Sequence, residues 1–296
     1  RGGRYVNYLW RSVLLIIFLS PLAQAQEPKP LKVVATHSIL GDWVERVGGE
    51  KIELSVLVGP NGDAHTFEPT PQESVTLAEA DVIFENGLGF ESWLDDLYAS
   101  SGSKAERVAV TDRMDLIKFK TVDHHSEIDP HVWHSVKNAM VAVETIANTL
   151  IRKDPANENF FNEQARNYTV ELQSLDEWIR REITKIPSAQ RKLITSHDTF
   201  GYFARDYGFD VVGAAINSAT TEASDPSAHQ IAELIEKIQA SRVPAIFTEN
   251  IHNPKLMAMI AQESNVKLAP TLYTDALGEL DSNGENYIHM MMYNVD

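Results

Sequence analysis

Cysteine is absent from all 296 residues. That excludes disulfides, thiolate ligands and cysteine nucleophiles together. A packed core has to hold the chain, and any metal has to be met by nitrogen and oxygen. Basic residues are scarce: 26 Lys and Arg face 42 Asp and Glu, for a formal charge of −16. A surface of that sign repels phosphate backbones and argues against a nucleic-acid partner. The same field favours the approach of cations. Long apolar runs are missing, apart from one near the start. There the chain reads RGGRYVNYLWR, then VLLIIFLSPL, then AQA before Gln26. A basic region, an apolar stretch short of the roughly 20 residues of a membrane span, and a small-x-small site describe a secretory leader. It covers residues 1–25 and is cut after Ala25. Loss of Arg1, Arg4 and Arg11 with the leader takes the charge to −19. No cysteine follows the cut to carry a lipid, so the expectation is a free periplasmic protein.

What is present alternates. Apolar, β-rich runs at 31–36, 52–58, 81–86 and 107–111 are separated by helical or turn patterns such as ILGDWVERVGG and PQESVTLAEA. A second set follows at 192–197, 210–215, 245–250 and 267–272, with SAHQIAELIEKIQA and NPKLMAMIAQES between. Strands that alternate with helices call for parallel sheets covered on both faces, and four plus four predict two α/β lobes. Between them, Asn157 to Ile186 holds no Gly or Pro. Its apolar residues Phe160, Phe161, Tyr168, Leu172, Leu175, Trp178, Ile179 and Ile183 keep a helical period. About 28 residues at about 1.5 Å each predict one rod of roughly 40 Å, rather than two kinked helices. The expected division is therefore a leader at 1–25, an N-terminal lobe at 26–156, a linking helix at 157–187 and a C-terminal lobe at 188–296. The chain stops inside an amphipathic pattern, ENYIHMMMYNVD, without a stop signal, so a truncated C-terminus is expected.

Four residues at strand ends form a candidate metal site: His65, His131, His197 and Asp275. They are separated by 66, 66 and 78 residues, so only a tertiary fold unites them. The ends of parallel strands converge on one crevice. Three imidazoles and a carboxylate make a complete donor set for a borderline-soft dication such as zinc. His65 is held between the turn formers Gly59–Gly62 and the Pro-bounded TFEPTP. Asp129 reads in two ways, as a helix cap near Ser135 or as an acceptor that orients an imidazole. Asp275 reads as a ligand or as a cap. His37, also at a strand end, is taken as a capping or supporting residue. His134, His229, His252 and His289 are left as background.

The ordered motifs GPNGDAHTFEPTP, DPHVWHSVKNA, TSHDTFGYFARDYG, TEASDPSAHQIAELIEKI and LYTDALG carry a family resemblance. From Lys32 to its end the chain resembles the solute-binding proteins of bacterial zinc and manganese ABC transporters, the cluster A-I group. The resemblance implies two (β/α)4 lobes joined by one long rigid helix. It implies a metal held between them by His65, His131, His197 and Asp275, and delivery to a permease in the inner membrane. Two departures stand out. The His-rich loop of many zinc importers shrinks here to DHHSE at 123–127, with His124 and His125, and the lipidated cysteine of many members is missing. Relatives taken to carry manganese often place Glu where this chain has His197, so Zn2+ is the expected cargo and Mn2+ the alternative.

The expected protein is a monomeric binder rather than an enzyme. Affinity is expected to fall as the imidazoles protonate near about 6.5. Asp275, read as an exposed loop carboxylate, is expected to let go first. A zinc hydrolase is the competing reading, with Glu68, Asp198, Glu222 or Glu249 as base. Four protein ligands leave no position for water, and no HExxH motif occurs. A chelate-binding cleft lined by Trp43, Phe67, Trp133 and Phe200 is the third. In the metal reading those rings form a dry shell.

Overall fold

The computed structural model describes residues 29–120, 126–216, 221 and 226–296. The leader at 1–25, His124, His125 and Glu222 lie outside the described residues. Among those described, no helix is long and apolar enough to cross a membrane.

The first sheet is parallel throughout, in the order β2-β1-β3-β4, from β1 (Leu31–His37), β2 (Ile52–Val58), β3 (Val82–Glu85) and β4 (Glu106–Ala109). Its strands read as unbroken apolar runs because both faces are covered. On β1, Val33 and Ala35 enter the main core, whereas Val34 enters a smaller one beneath α2 (Pro71–Glu79) and α3 (Leu94–Ser101). Helix α1 (Ser38–Gly48) covers the first of these faces through Ile39, Trp43 and Val47. Pairing of β5 (Lys118–Lys120) with β6 (Ser126–Ile128) is antiparallel, an element the sequence pattern does not announce.

The second half repeats the plan. Parallel pairs join β7 (Lys192–His197) to β8 (Asp210–Ile216) and β9 (Ala245–Ile246) to β10 (Lys267–Leu268). Phe247 N donates to Ile194 O at 3.0 Å and stitches the pairs together. Strands expected over 245–250 and 267–272 are cut short at Ile246 and Leu268, because the register then slips by one residue around Pro270. Extended pairing resumes past it, with Leu272 N on Thr248 O and an isolated bridge between Glu249 and Leu272. Helices α7 (Ala228–Ser241) and α8 (Lys255–Ser264) cover this sheet. Ser227 and Gln230 form a capping box at the start of α7.

Between the halves run α4 (Val136–Lys153) and the single continuous α5 (Glu158–Ile183), whose 26 residues span about 39 Å. Ser135, not Asp129, caps α4 by accepting from Asn138 N. The buried stripe of α5 is Phe161, Tyr168, Leu172, Leu175, Ile179 and Ile183. It packs into one large core with α1, α4, α6 (Gly201–Tyr207) and α9 (Tyr287–Val295). Fold class and long helix thus follow the sequence reading, and α9 returns from the second half to lay Tyr287 against Trp43 at 5.2 Å.

Leu172 is wholly buried in this shared core. Leu172→Ala should cost about 2–5 kcal/mol, read as a lower urea midpoint with an unchanged slope.

Candidate metal centre

His65 lies in the loop after β2. Asn61 there has φ 56°, and Gly62 is required because a Cβ would stand 2.7 Å from Val58 Cγ1 and 3.0 Å from Gly59 O. Asp63 Oδ1 accepts from His65 N at 2.9 Å, and Trp93 Nε1 donates to Ala64 O at 2.7 Å. His131 follows Pro130. Asp129 Oδ1 accepts from His131 N at 3.0 Å and from its Nδ1 at 2.8 Å. His197 ends β7 and repeats this clamp. Glu249 Oε1 accepts from His197 N at 2.9 Å and Glu249 Oε2 from its Nδ1 at 2.6 Å. Asp275 follows the Leu272 bridge, and its Oδ1 accepts from Thr199 Oγ1 at 3.0 Å.

Each clamp fixes a tautomer, because an imidazole that donates from Nδ1 presents Nε2 as its acceptor. The Nε2 atoms of His65 and His197 each lie 3.3 Å from that of His131. Asp275 Oδ2 is 3.2 Å from His65 Nε2, 3.5 Å from His131 Nε2 and 3.0 Å from His197 Nε2. A tetrahedral ion with bonds of about 2.0–2.1 Å has ligand–ligand edges of about 3.3–3.4 Å. Asp275 Oδ2 is buried without a hydrogen-bond partner among the described residues, and all four residues are at most 3% exposed. The structure therefore brings the four sequence-selected residues together, with one buried oxygen aimed at three buried nitrogens.

The imidazoles and carboxylates of the cluster shift one another's proton affinities. Burial depresses the His131 imidazolium, but Asp275 and Asp129 outweigh it and lift His131 to about 9. Burial likewise opposes Glu249 and Asp275 at His197, which ends well above the usual imidazole value. His65 is lowered, since burial there exceeds the pull of Asp275. Burial works to raise Asp275, yet His197 and His131 hold it well below the carboxylate range.

The surrounding rings differ from the expected shell. Trp133 packs on His131 at 5.4 Å, and Phe90 packs edge-on to His65 at 4.5 Å. Trp43 instead meets Tyr287, Phe67 meets Trp93, and Phe200 meets His134. The donors are buried beneath the surface rather than exposed along a cleft, which is unlike the chelate-binding reading. His37 makes no side-chain cap, contrary to one reading of it. Its Nδ1 is unpartnered and its ring packs on Phe90 and Trp133. Asp275 is neither exposed nor a helix cap. His134 Nε2 sits 3.2 Å from Thr199 Oγ1, behind Asp275, and His252 stands beside His197. Glu249, named from the sequence only as a base of the competing hydrolase reading, is instead the group that orients His197, and Phe90 is the main missed ring.

Two parallel-sheet halves closed on a buried imidazole and carboxylate cluster define a binding protein for a divalent metal ion. The chain belongs to the family described as zinc-uptake complex component A, periplasmic, whose model matches residues 33–296. It is 36% identical over 273 residues to the manganese-binding lipoprotein MntA of Halalkalibacterium halodurans, covering 92% of this chain and 88% of the relative. It is 32% identical over 291 residues to the manganese ABC transporter substrate-binding lipoprotein PsaA of Streptococcus pneumoniae serotype 4, covering 96% and 93%. The periplasmic zinc binding protein TroA from Treponema pallidum superposes with a TM-score of 0.84 at 29% identity, over 91% of this chain and 97% of that one. The Mn-bound periplasmic metal binding protein from Candidatus Liberibacter asiaticus gives 0.80 at 25%, over 90% and 97%. The protein is thus an extracytoplasmic metal-binding component of an ABC transporter, working with a membrane permease, and not an enzyme.

A metal bound through Nε2 of His131 and His197 has to displace protons that the neighbouring carboxylates hold there more tightly than usual. Zinc binding at pH 7 should therefore release about two protons, and apparent affinity should climb with pH toward about 9 rather than level off above about 6.5. Titration in weakly buffered solution with a pH electrode checks this. A reading of no released protons would contradict these raised proton affinities.

Proposed function

We propose that the protein captures Zn2+ in the periplasm and delivers it to its permease, with His65, His131, His197 and Asp275 as the four ligands. The observation that carries this reading is the set of five donor–donor distances between 3.0 and 3.5 Å, which suits a small four-coordinate ion. Thr199 engages Asp275 Oδ1, which supports binding through Oδ2 alone. Three nitrogens and one oxygen favour zinc over manganese, which prefers oxygen. Mn2+ is the second reading, favoured by the names of the relatives MntA and PsaA. Zinc outranks manganese in affinity at such a site whatever its task, so affinity alone does not decide the cargo.

The proposal extends to a monomer with lobes at 26–156 and 188–296 about the linker 157–187. The unlipidated form expected from the sequence is at odds with the relatives, which are named lipoproteins. Closure on metal is proposed to be small. Besides α5, Trp133 Nε1 bonds to Thr274 O at 2.7 Å, Tyr202 Oη to Asp129 O at 2.8 Å and Asn61 N to Leu277 O at 2.8 Å across the halves.

Native mass spectrometry of protein isolated from periplasm without chelator should show one zinc per chain. His197→Ala should lose it, a greater loss than the roughly 10–100-fold that removal of an outer partner costs. Manganese retained with zinc present would replace the zinc assignment. Small-angle scattering curves with and without metal should nearly superpose, and a wide opening would refute small closure.

A further inference from the structure

The histidines packed around the centre are closed off with one exception. His37, His65, His131, His134 and His197 are at most 3% exposed, whereas the His252 side chain is 17% exposed. His252 follows Glu249 in a turn where its N–H donates to Glu249 O at 3.2 Å. Its ring stands edge-on to His197, with centroids 5.3 Å apart. Its Nε2 is itself buried and has no hydrogen-bond partner among the described residues. That nitrogen faces Glu249 Oε2 at 3.7 Å, too long for a hydrogen bond. Glu249 Oε2 is the oxygen that accepts from His197 Nδ1. His197, Glu249 and His252 thus place donor atoms within 4.8 Å of one another, adjoining the four-residue centre and sharing His197 with it.

A buried imidazole nitrogen aimed at a carboxylate it does not bond is costly in a purely structural residue. A cation between the two satisfies both. We propose that His252 and Glu249 form an outer relay site for the divalent cargo, through which it passes between solvent and the buried centre. This rests on the metal-binding reading above. Two protein donors hold a dication weakly, as a way station requires, with water reaching the ion as the partly exposed His252 ring turns outward. Engaging Glu249 also takes the acceptor from His197 Nδ1, which loosens that ring as the ion arrives or leaves. Movement inward restores the clamp. A relay empty in both end states changes loading and release equally and leaves the equilibrium alone.

The test compares wild type, His252→Gln and His252→Asp, each checked for an unchanged melting curve. Zinc loading and release are followed by stopped flow with a fluorescent zinc indicator and an excess of EDTA, and affinity by chelator competition. In His252→Gln, loading and release should both slow about tenfold, with affinity within about threefold of wild type. His252→Asp, which restores a donor, should recover most of the rate. Unchanged or faster exchange in His252→Gln would make His252 a mere cover and overturn the relay. A loss of affinity with unaltered loading would assign it to support of His197 and also overturn the relay. Failure of wild type to bind one zinc would instead sink the metal-binding reading itself.

Discussion

A carboxylate gripping an imidazole at Nδ1, made twice, is the interaction on which the centre depends. Asp129 holds His131 and Glu249 holds His197, each also accepting the backbone N–H of the residue it orients. Without these grips the rings could present either nitrogen, and the Nε2 atoms would not converge on Asp275. The grips are themselves supported. Gly201 lets α6 approach Asp129 so closely that a Cβ would lie 2.5 Å from its Oδ2. Thr274, next to Asp275, donates to Glu249 Oε2 at 3.2 Å. One half supplies Asp129 and the other supplies Glu249, so neither half makes the site alone.

The shared core keeps the two grips in register. Helix α9 arrives from the second half and buries Tyr287 against Trp43 of the first, while its hydroxyl donates to Trp133 O at 2.6 Å. Trp133 in turn reaches Thr274 with its indole N–H. The backbone beside one clamped histidine is thereby tied to the backbone beside Asp275. A site built on such ties is positioned before the ion arrives, which limits the entropy lost on binding.

Much of this was legible in the sequence where the cause is local. The apolar runs and the helical period of 158–183 set the sheets and the rod, because covering both faces of a parallel sheet leaves a direct compositional trace. Asp129 was readable as an orienting group because it lies two residues from His131. Glu249 was not, because its role arises only when a residue 52 positions from His197 is folded against it. Phe90 and His252 were hidden for the same reason. Trp43, Phe67 and Phe200 were drawn toward the metal by composition alone, yet each found a nearer ring. Asp275 looked like a surface loop residue until Thr199, Trp133 and the second half closed over it. The donors themselves stood out through the ordered motifs more than through any single histidine.

The paired grips have an electrical consequence. Carboxylates around His131 and His197 hold both imidazoles above the usual value. A dication that displaced one proton from each ring, as proposed above, would exchange equal charge for equal charge. Imidazoles held above their usual value offset part of the negative charge that three buried carboxylates place in a low-dielectric interior. Loading and unloading then become a swap of ions, in which the acidity of the compartment, more than its salt, sets the direction of flow.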